Sequence, residues 1–93
     1  METLTINENI FKTHRINLYG SALMIIEGGK GFLACGYVNL QAAEKLGHAA
    51  AIVTGVKNFD DMLNAEVIAA SSAAAALGVT VGMKGADAAA LLI

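Results

Sequence analysis

Charge is scarce in this chain. Asp, Glu, Lys and Arg make up only 15% of its 93 residues, against 56% hydrophobic, and mean hydropathy is +0.59. A chain of this length forms one domain, expected over residues 1–93, and buries roughly 60–65% of its unfolded surface. That suffices for one core but not for a core plus a deep cleft. The remaining surface needs polar residues, and few are on offer. Part of it is therefore expected to be covered by another copy of the chain, which implies a homo-oligomer.

Other absences exclude whole classes of function. No basic run exists: the six Lys and Arg are scattered and net charge is −2, so the chain cannot hold nucleic acid by neutralising phosphates. A single cysteine forbids an internal disulfide, which suits a reducing cytoplasm. Met1 to Asn9 is polar and acidic, unlike a secretory leader. The uncharged run Val67 to Met83 is mostly Ala, Ser and Gly, interrupted by Gly78 and Gly82, so it reads as buried helix and not as a membrane span. Two isolated histidines and one cysteine give no metal-ligand spacing, and no cofactor is implied. Lys30 in "GGKG" is followed by glycine and an apolar run, not by Ser or Thr and a helix, so the phosphate-loop pattern is missing too.

What is present organises the chain in two halves. Leu4 and Ile6 alternate with Thr3, Thr5 and Asn7, and Ile10 to Leu18 alternates loosely, which predicts two strands. Tyr19-Gly20-Ser21 is a break. Ala22 to Glu27 and Gly31 to Val38 form a predicted hairpin around Gly28-Gly29-Lys30. The second half changes period. Asn39 caps a helix that ends at Gly47, Ala49 to Gly55 reads as a buried strand, and a helical pattern opened by Asn58 runs to Leu77, with room for a break near Asn64 to Glu66. Val79 to Val81 reads as a short strand and Ala86 to Ile93 as a last helix. The predicted fold is α+β: an antiparallel meander, then a β-α-β-α segment with locally parallel strands and Ala-rich helices packed on a mixed sheet. In the long helix, Leu63, Val67, Ala70, Ala74 and Leu77 form one stripe and Ala65, Ala69, Ser72 and Ala76 the other, so the helix is expected to pack on both sides, one against a second subunit.

Two places carry candidate chemistry. Cys35 lies in a strand pattern, where a free cysteine is usually a small buried apolar residue; a nucleophilic Cys35 would need His14 or His48 beside it as base. A weak internal repeat supplies the other: Gly55-Val56-Lys57 with Asp60, and Gly82-Met83-Lys84 with Asp87, each read as a strand-to-helix turn. Glycine there permits close approach, and lysine plus helix amides suit a small anionic ligand, which makes Gly55, Lys57, Asn58, Gly82, Lys84 and Gly85 the candidate binding residues. The plain alternative is that glycine makes the turn, lysine stays solvated and the aspartate supports the first helical turn.

The segments "MIIEGGKGFLACGYVNLQAAEKLG", "AAIVTGVKNFDDMLNAEV" and "AAALGVTVGMKGADAAALL" resemble the YunC-like family, a small domain of unknown function, over Leu18 to Leu92. Lys30-Gly31…Cys35-Gly36-Tyr37 is the most specific part. The resemblance implies a compact mixed α/β domain and no activity. After Val-Gly-Met the family typically carries Ser or Thr to cap the last helix; here Lys84 stands. The reading favoured is a non-enzymatic homo-oligomeric structural or small-anion-binding domain. The alternatives are a thiol enzyme using Cys35 and an interaction module whose alanine face receives another protein.

Overall fold

A computed structural model describes residues 2–6 and 8–93. Its centre is a six-stranded sheet in which every strand lies beside its neighbours in sequence. Strands β1 (Glu2–Ile6), β2 (Asn9–Leu18), β3 (Ser21–Glu27) and β4 (Gly31–Ala34) form an antiparallel meander. Helix α1 (Leu40–Leu46) then crosses over to β5 (Ala49–Ile52), which is parallel to β4. Helix α2 (Phe59–Asn64), the two-residue strand β6 (Ala69–Ala70), and helices α3 (Ser72–Ala76) and α4 (Gly85–Leu91) follow. The α+β class, the meander and the mixed sheet are as the sequence predicts. Asn7, the end of the first expected alternation, lies outside the described residues.

Local chemistry explains most boundaries. Leu18 pairs with Ser21 across a two-residue turn in which Tyr19 (φ 50°) and Gly20 (φ 85°) are both left-handed. A tight hairpin needs that pair of positive φ values to match strand twist. Asn39 caps α1 by accepting from the amides of Gln41 and Ala42, and Gly47 closes it in the left-handed region. Asn58 caps α2 through Asp61 N–H. Lys84 occupies the N-cap of α4 and contributes no side-chain bond there.

The predicted long helix is where the structure departs from the sequence pattern. It divides into α2 and α3: α2 ends at Asn64, at the break the pattern allowed, but Ala69–Ala70 beyond it is strand and not helix. The reason is tertiary. All four residues of β5 are buried, so its outer edge cannot leave peptide groups to water. The edge is paired instead: Ile68 N–H donates to Ile52 C=O and Ser71 N–H to Ala50 C=O. Satisfying a buried edge outweighs the helix propensity of a few alanines, each only tenths of a kcal/mol (~0.5) above average residues. The alanine stripe Ala65, Ala69, Ser72, Ala76 therefore does not exist as a helix face. Val79 to Val81 is not a strand either: Gly82 N–H bonds Val67 C=O and Val67 N–H bonds Met83 C=O, folding this segment back on the one that precedes β6. The parallel pair is thus β4 with β5, and the expected one, Ala49 to Gly55 with Val79 to Val81, is absent among the described residues.

One sheet face carries the core. Phe11, Met24, Ile26, Leu33, Ala51 and Val53 meet Met62 of α2, Val67, Ala74 of α3, Val79, and Ala88, Ala89 and Leu92 from α4 and its end. On the opposite face Ala34, Ala50 and Ile52 are buried but stand outside that cluster, beside α1, which packs on β5. The chain therefore leaves β4 toward one face and leaves β5 toward the other. Farther out on the α1 side, no helix among the described residues packs on β2 or β3, and Ile16 is 56% exposed.

The glycine cluster has a job that the sequence did not disclose. The amides of Gly29, Lys30 and Gly31 donate to the carbonyls of Ile93 and Leu92 at 2.8, 2.9 and 3.2 Å. A Cβ at Gly28 would collide with the Leu92 carbonyl, and one at Gly29 with that of Ile93. Neither glycine has a positive φ, so these residues are small because a backbone lies against them. Gly85 is the same case: its Cβ would collide with the Met62 carbonyl, where α2 and α4 touch.

Candidate functional site: the cleft beyond strands β4 and β5

The loops that follow β4 and β5 leave their parallel strands at the same end. Between them, and flanked by the β2–β3 turn, lies an open cleft of about 510 Å³. Its wall contains Cys35, Gly36 and Tyr37 from one loop, Thr54, Gly55, Val56 and Lys57 from the other, and Gly20 to Ala22 from the turn. The loops touch, since a Cβ at Gly36 would lie 3.1 Å from the Thr54 methyl. Two candidates separated by about twenty residues in sequence thus share one site. The cause is the parallel β4–β5 register, Gly31 beside Ala49 through Ala34 beside Ile52, which brings the two strand ends level. A crevice at the carboxyl ends of adjacent strands whose connections run to opposite faces is where open α/β sheets take ligands.

Strand β4 stops at Ala34, one residue before the cysteine, and Cys35 remains tied to β3. Its N–H donates to Met24 C=O at 3.1 Å. Its Sγ accepts from Met24 N–H at 3.3 Å and donates to Ala22 C=O at 3.7 Å. Cys35 is 4% exposed. No histidine lines this cleft. His14 sits on the open sheet face with Nε2 at 2.8 Å from Glu27 Oε1, and His48 follows α1, its carbonyl receiving the Ser71 hydroxyl. The thiol is placed as a small buried side chain, its polar needs met by the neighbouring strand.

Among the described residues, Lys57 is the one charged side chain in the cleft wall. Hydroxyls come from Ser21, Thr54 and Tyr37. Among the described residues, the amides of Gly36, Tyr37, Gly55 and Val56 donate to no protein acceptor, and Gly55 is left-handed at φ 72°. Successive free amides around a left-handed glycine form the kind of concavity that receives anions. The start of α2 is different. Lys57 N–H donates to the Asp61 carboxylate at 3.0 Å, and Asp61 N–H donates to Asn58 Oδ1 at 2.7 Å. Asn58 and Asp61 therefore satisfy the helix start themselves, and Asn58 acts as a cap.

The second lysine turn lies elsewhere and is closed. Gly82 N–H donates to Val67 C=O at 2.8 Å, Met83 N–H to Thr80 C=O at 3.3 Å and Gly85 N–H to Ala65 C=O at 2.7 Å. Lys84 pairs with Glu66 in an isolated antiparallel bridge. The two halves of the sequence repeat thus have different surroundings: one borders an open cleft, and the other latches the segment around Glu66.

Two polar residues that the sequence reading passed over hold this frame. Ser71 is fully buried, and its hydroxyl donates to His48 C=O at 2.7 Å while accepting from Ala50 N–H at 2.9 Å and Ala74 N–H at 3.3 Å. A serine before an alanine run is a helix-cap signal, masked here by the apparent continuity of the helix. Glu44 of α1 accepts from Ser72 N–H at 2.9 Å, and that backbone hydrogen bond draws its carboxyl below the ordinary value. No group of three or more His, Cys, Asp or Glu side chains suited to a metal occurs among the described residues. No helix there is long and apolar enough to cross a membrane.

Comparison with known proteins agrees with this architecture. No curated protein gives a significant match. A crystal structure of a protein of unknown function from Thermoplasma acidophilum is 33% identical, covers 99% of this chain and 90% of its own, and superposes with a TM-score of 0.93. A family model described as "Domain of unknown function (DUF1805)" matches residues 34–92, from the end of β4 through α4 and so including both loops of the cleft. The chain belongs to the DUF1805 family.

Proposed function

We propose that this is a non-enzymatic binding domain whose ligand is a small metabolite bearing a carboxylate or phosphate, held in the cleft beyond β4 and β5. The observation that carries this reading is the meeting of Gly36-Tyr37 and Gly55-Val56 amides around Lys57 in one open cleft. Its volume falls within the range of about 300–1,000 Å³ usual for small-molecule sites. Lys57 supplies the charge, the four amides supply directional donors, and Thr54, Ser21 and Tyr37 supply hydroxyls for the rest of the ligand. Gly55 permits the backbone to approach. Asn58 keeps α2 in place and does not touch the ligand, while Gly82, Lys84 and Gly85 keep the latch around Glu66. The same reading includes kinship with the YunC-like family, through Lys30-Gly31…Cys35-Gly36-Tyr37, and a cytoplasmic location, which a lone unpaired cysteine favours.

The test is an amide-resolved NMR titration with inorganic phosphate, small dicarboxylates and nucleoside phosphates in turn. Shifts should concentrate at Gly36, Tyr37 and Gly55 to Lys57. Lys57→Ala should weaken binding at least about tenfold, the scale of a lost charged hydrogen bond, and Lys84→Ala should leave it unchanged. Shifts centred elsewhere, or affinity indifferent to Lys57→Ala, would overturn the proposal.

A further inference from the structure

The open face of β2 and β3 is a second feature, independent of the cleft. Residues alternate across a strand, so Ile10, Lys12, His14 and Ile16 of β2 share the face opposite the core. Register sets Lys12 beside Glu27, His14 beside Ile25 and Ile16 beside Leu23. Phe32 of β4 stands beside Glu27. Ile10 is 67% and Ile16 56% exposed, and Leu23, Ile25 and Phe32 are half-buried with no helix above them. The concavity on this face measures about 660 Å³ and is bordered by Gly28 to Gly31 and Gly47-His48, which lie together at the end where β4 and β5 begin. On this face Ile16 stands directly opposite Leu23, with Ile25 beside them on β3, an exposed aliphatic cluster of the kind that lines the inner face of a β-sandwich.

We infer that this face is the contact between two copies of the chain, packed sheet on sheet about a two-fold axis. Two observations select a second copy as occupant. The first is charge. The face carries both signs as a cross-strand pair, Lys12 on β2 and Glu27 on β3. A two-fold axis running along the strands between β2 and β3 sets Lys12 of each copy over Glu27 of the other, so the surface is complementary to itself, as an isologous contact requires. The second is size. Strands β1 to β4 have 5, 10, 7 and 4 residues, a sheet face of about 420 Å² at ~3.4 Å per residue and ~4.8 Å per strand, which side-chain relief brings toward the ~600 Å² per partner at the low end of specific interfaces. The contact also provides cover for the aliphatic surface that a chain with 15% charged residues leaves exposed. It replaces the alanine stripe, which the fold does not form.

Sedimentation or light scattering on the full chain tests this, with circular dichroism to confirm folding. Wild type should have twice its 9.5 kDa mass at micromolar concentration. Ile16→Glu, at a position already half in water, should raise the dissociation constant at least about tenfold, as truncating a central interface anchor does. Lys12→Glu and Glu27→Lys should each weaken self-association through like-charge contacts, and mixing the two variants should restore a dimer containing one of each. A monomeric wild type overturns the inference. So does a dimer that tolerates Ile16→Glu, or a mixture of the charge variants that stays monomeric. If Ile16→Glu fails to fold, the mixing experiment on the two exposed charge positions decides alone.

Discussion

Replacing Gly28 with alanine tests whether the glycine cluster is there for space. The added Cβ falls on the Leu92 carbonyl, which is held by Lys30 N–H at 2.9 Å and Gly31 N–H at 3.2 Å, while Gly29 N–H holds Ile93 C=O at 2.8 Å. Two responses bracket the cost. If the segment after α4 lets go, three amide–carbonyl bonds worth about 1 kcal/mol each are lost. Leu92, 1% exposed, then leaves the core at about 2 kcal/mol more. If the segment stays and shifts, the cost is that of overpacking, about 1–3 kcal/mol. The protein takes the cheaper response, so Gly28→Ala should destabilise by about 1–3 kcal/mol, a sizeable part of the 5–15 kcal/mol typical of a domain. Urea unfolding followed by far-UV circular dichroism suits a chain without tryptophan. Protein concentration is held fixed so that self-association, if the chain dimerises as proposed, does not enter the comparison. Gly20→Ala is the control: its φ is +85° but nothing lies within 4 Å of the added carbon, so only backbone strain of about 1 kcal/mol is expected. Gly28→Ala within 0.5 kcal/mol of wild type (about the error of such a comparison), or no worse than Gly20→Ala, would refute the reasoning.

The remaining expectations concern the polar frame and the thiol. Ser71→Ala should cost about 2–4 kcal/mol by urea unfolding, since two buried N–H groups and one C=O lose their partner; a cost under 1 kcal/mol would mean that other groups replace the hydroxyl. The Glu44 carboxyl is held below its ordinary value of 4.5 by the Ser72 N–H. Its contribution to stability is complete above that value and is lost as pH falls through the lower folded-state pKa. Glu44→Gln should flatten stability against pH in that acid window, and identical profiles for the two proteins would show the bond to be of no consequence in solution. Lys84→Ser should stabilise by about 0.5–1 kcal/mol by giving α4 the cap it lacks, and an unchanged or lower unfolding midpoint would count against it. Iodoacetamide should alkylate Cys35 far more slowly in the folded protein than in urea, because the thiol is buried and hydrogen-bonded to β3; equal rates would reopen a nucleophilic role.

The sequence by itself determined what short-range physics controls. Alternation marked β1 and β2, two apolar runs around a glycine turn marked β3 and β4, Asn39 and Gly47 bounded α1, and Asn58 opened α2. Each rests on groups within a few residues of one another. The tertiary structure decided whatever depended on a distant backbone. It converted Ala69–Ala70 from helix to strand because the edge of β5 needed partners. It also turned Val79 to Val81 into part of a latch with the segment around Val67. Glycines chosen for clearance and glycines chosen for positive φ are the same letter in a sequence; only contact with Leu92, Ile93 or Met62 separates them. The candidate site divides in the same way. Gly55 and Lys57 could be picked out as a turn, and Cys35 as a buried thiol, but their convergence on one cleft follows from the parallel register of β4 and β5. Sequence proximity carries no trace of that register, because it is fixed by long-range pairing across a crossover helix.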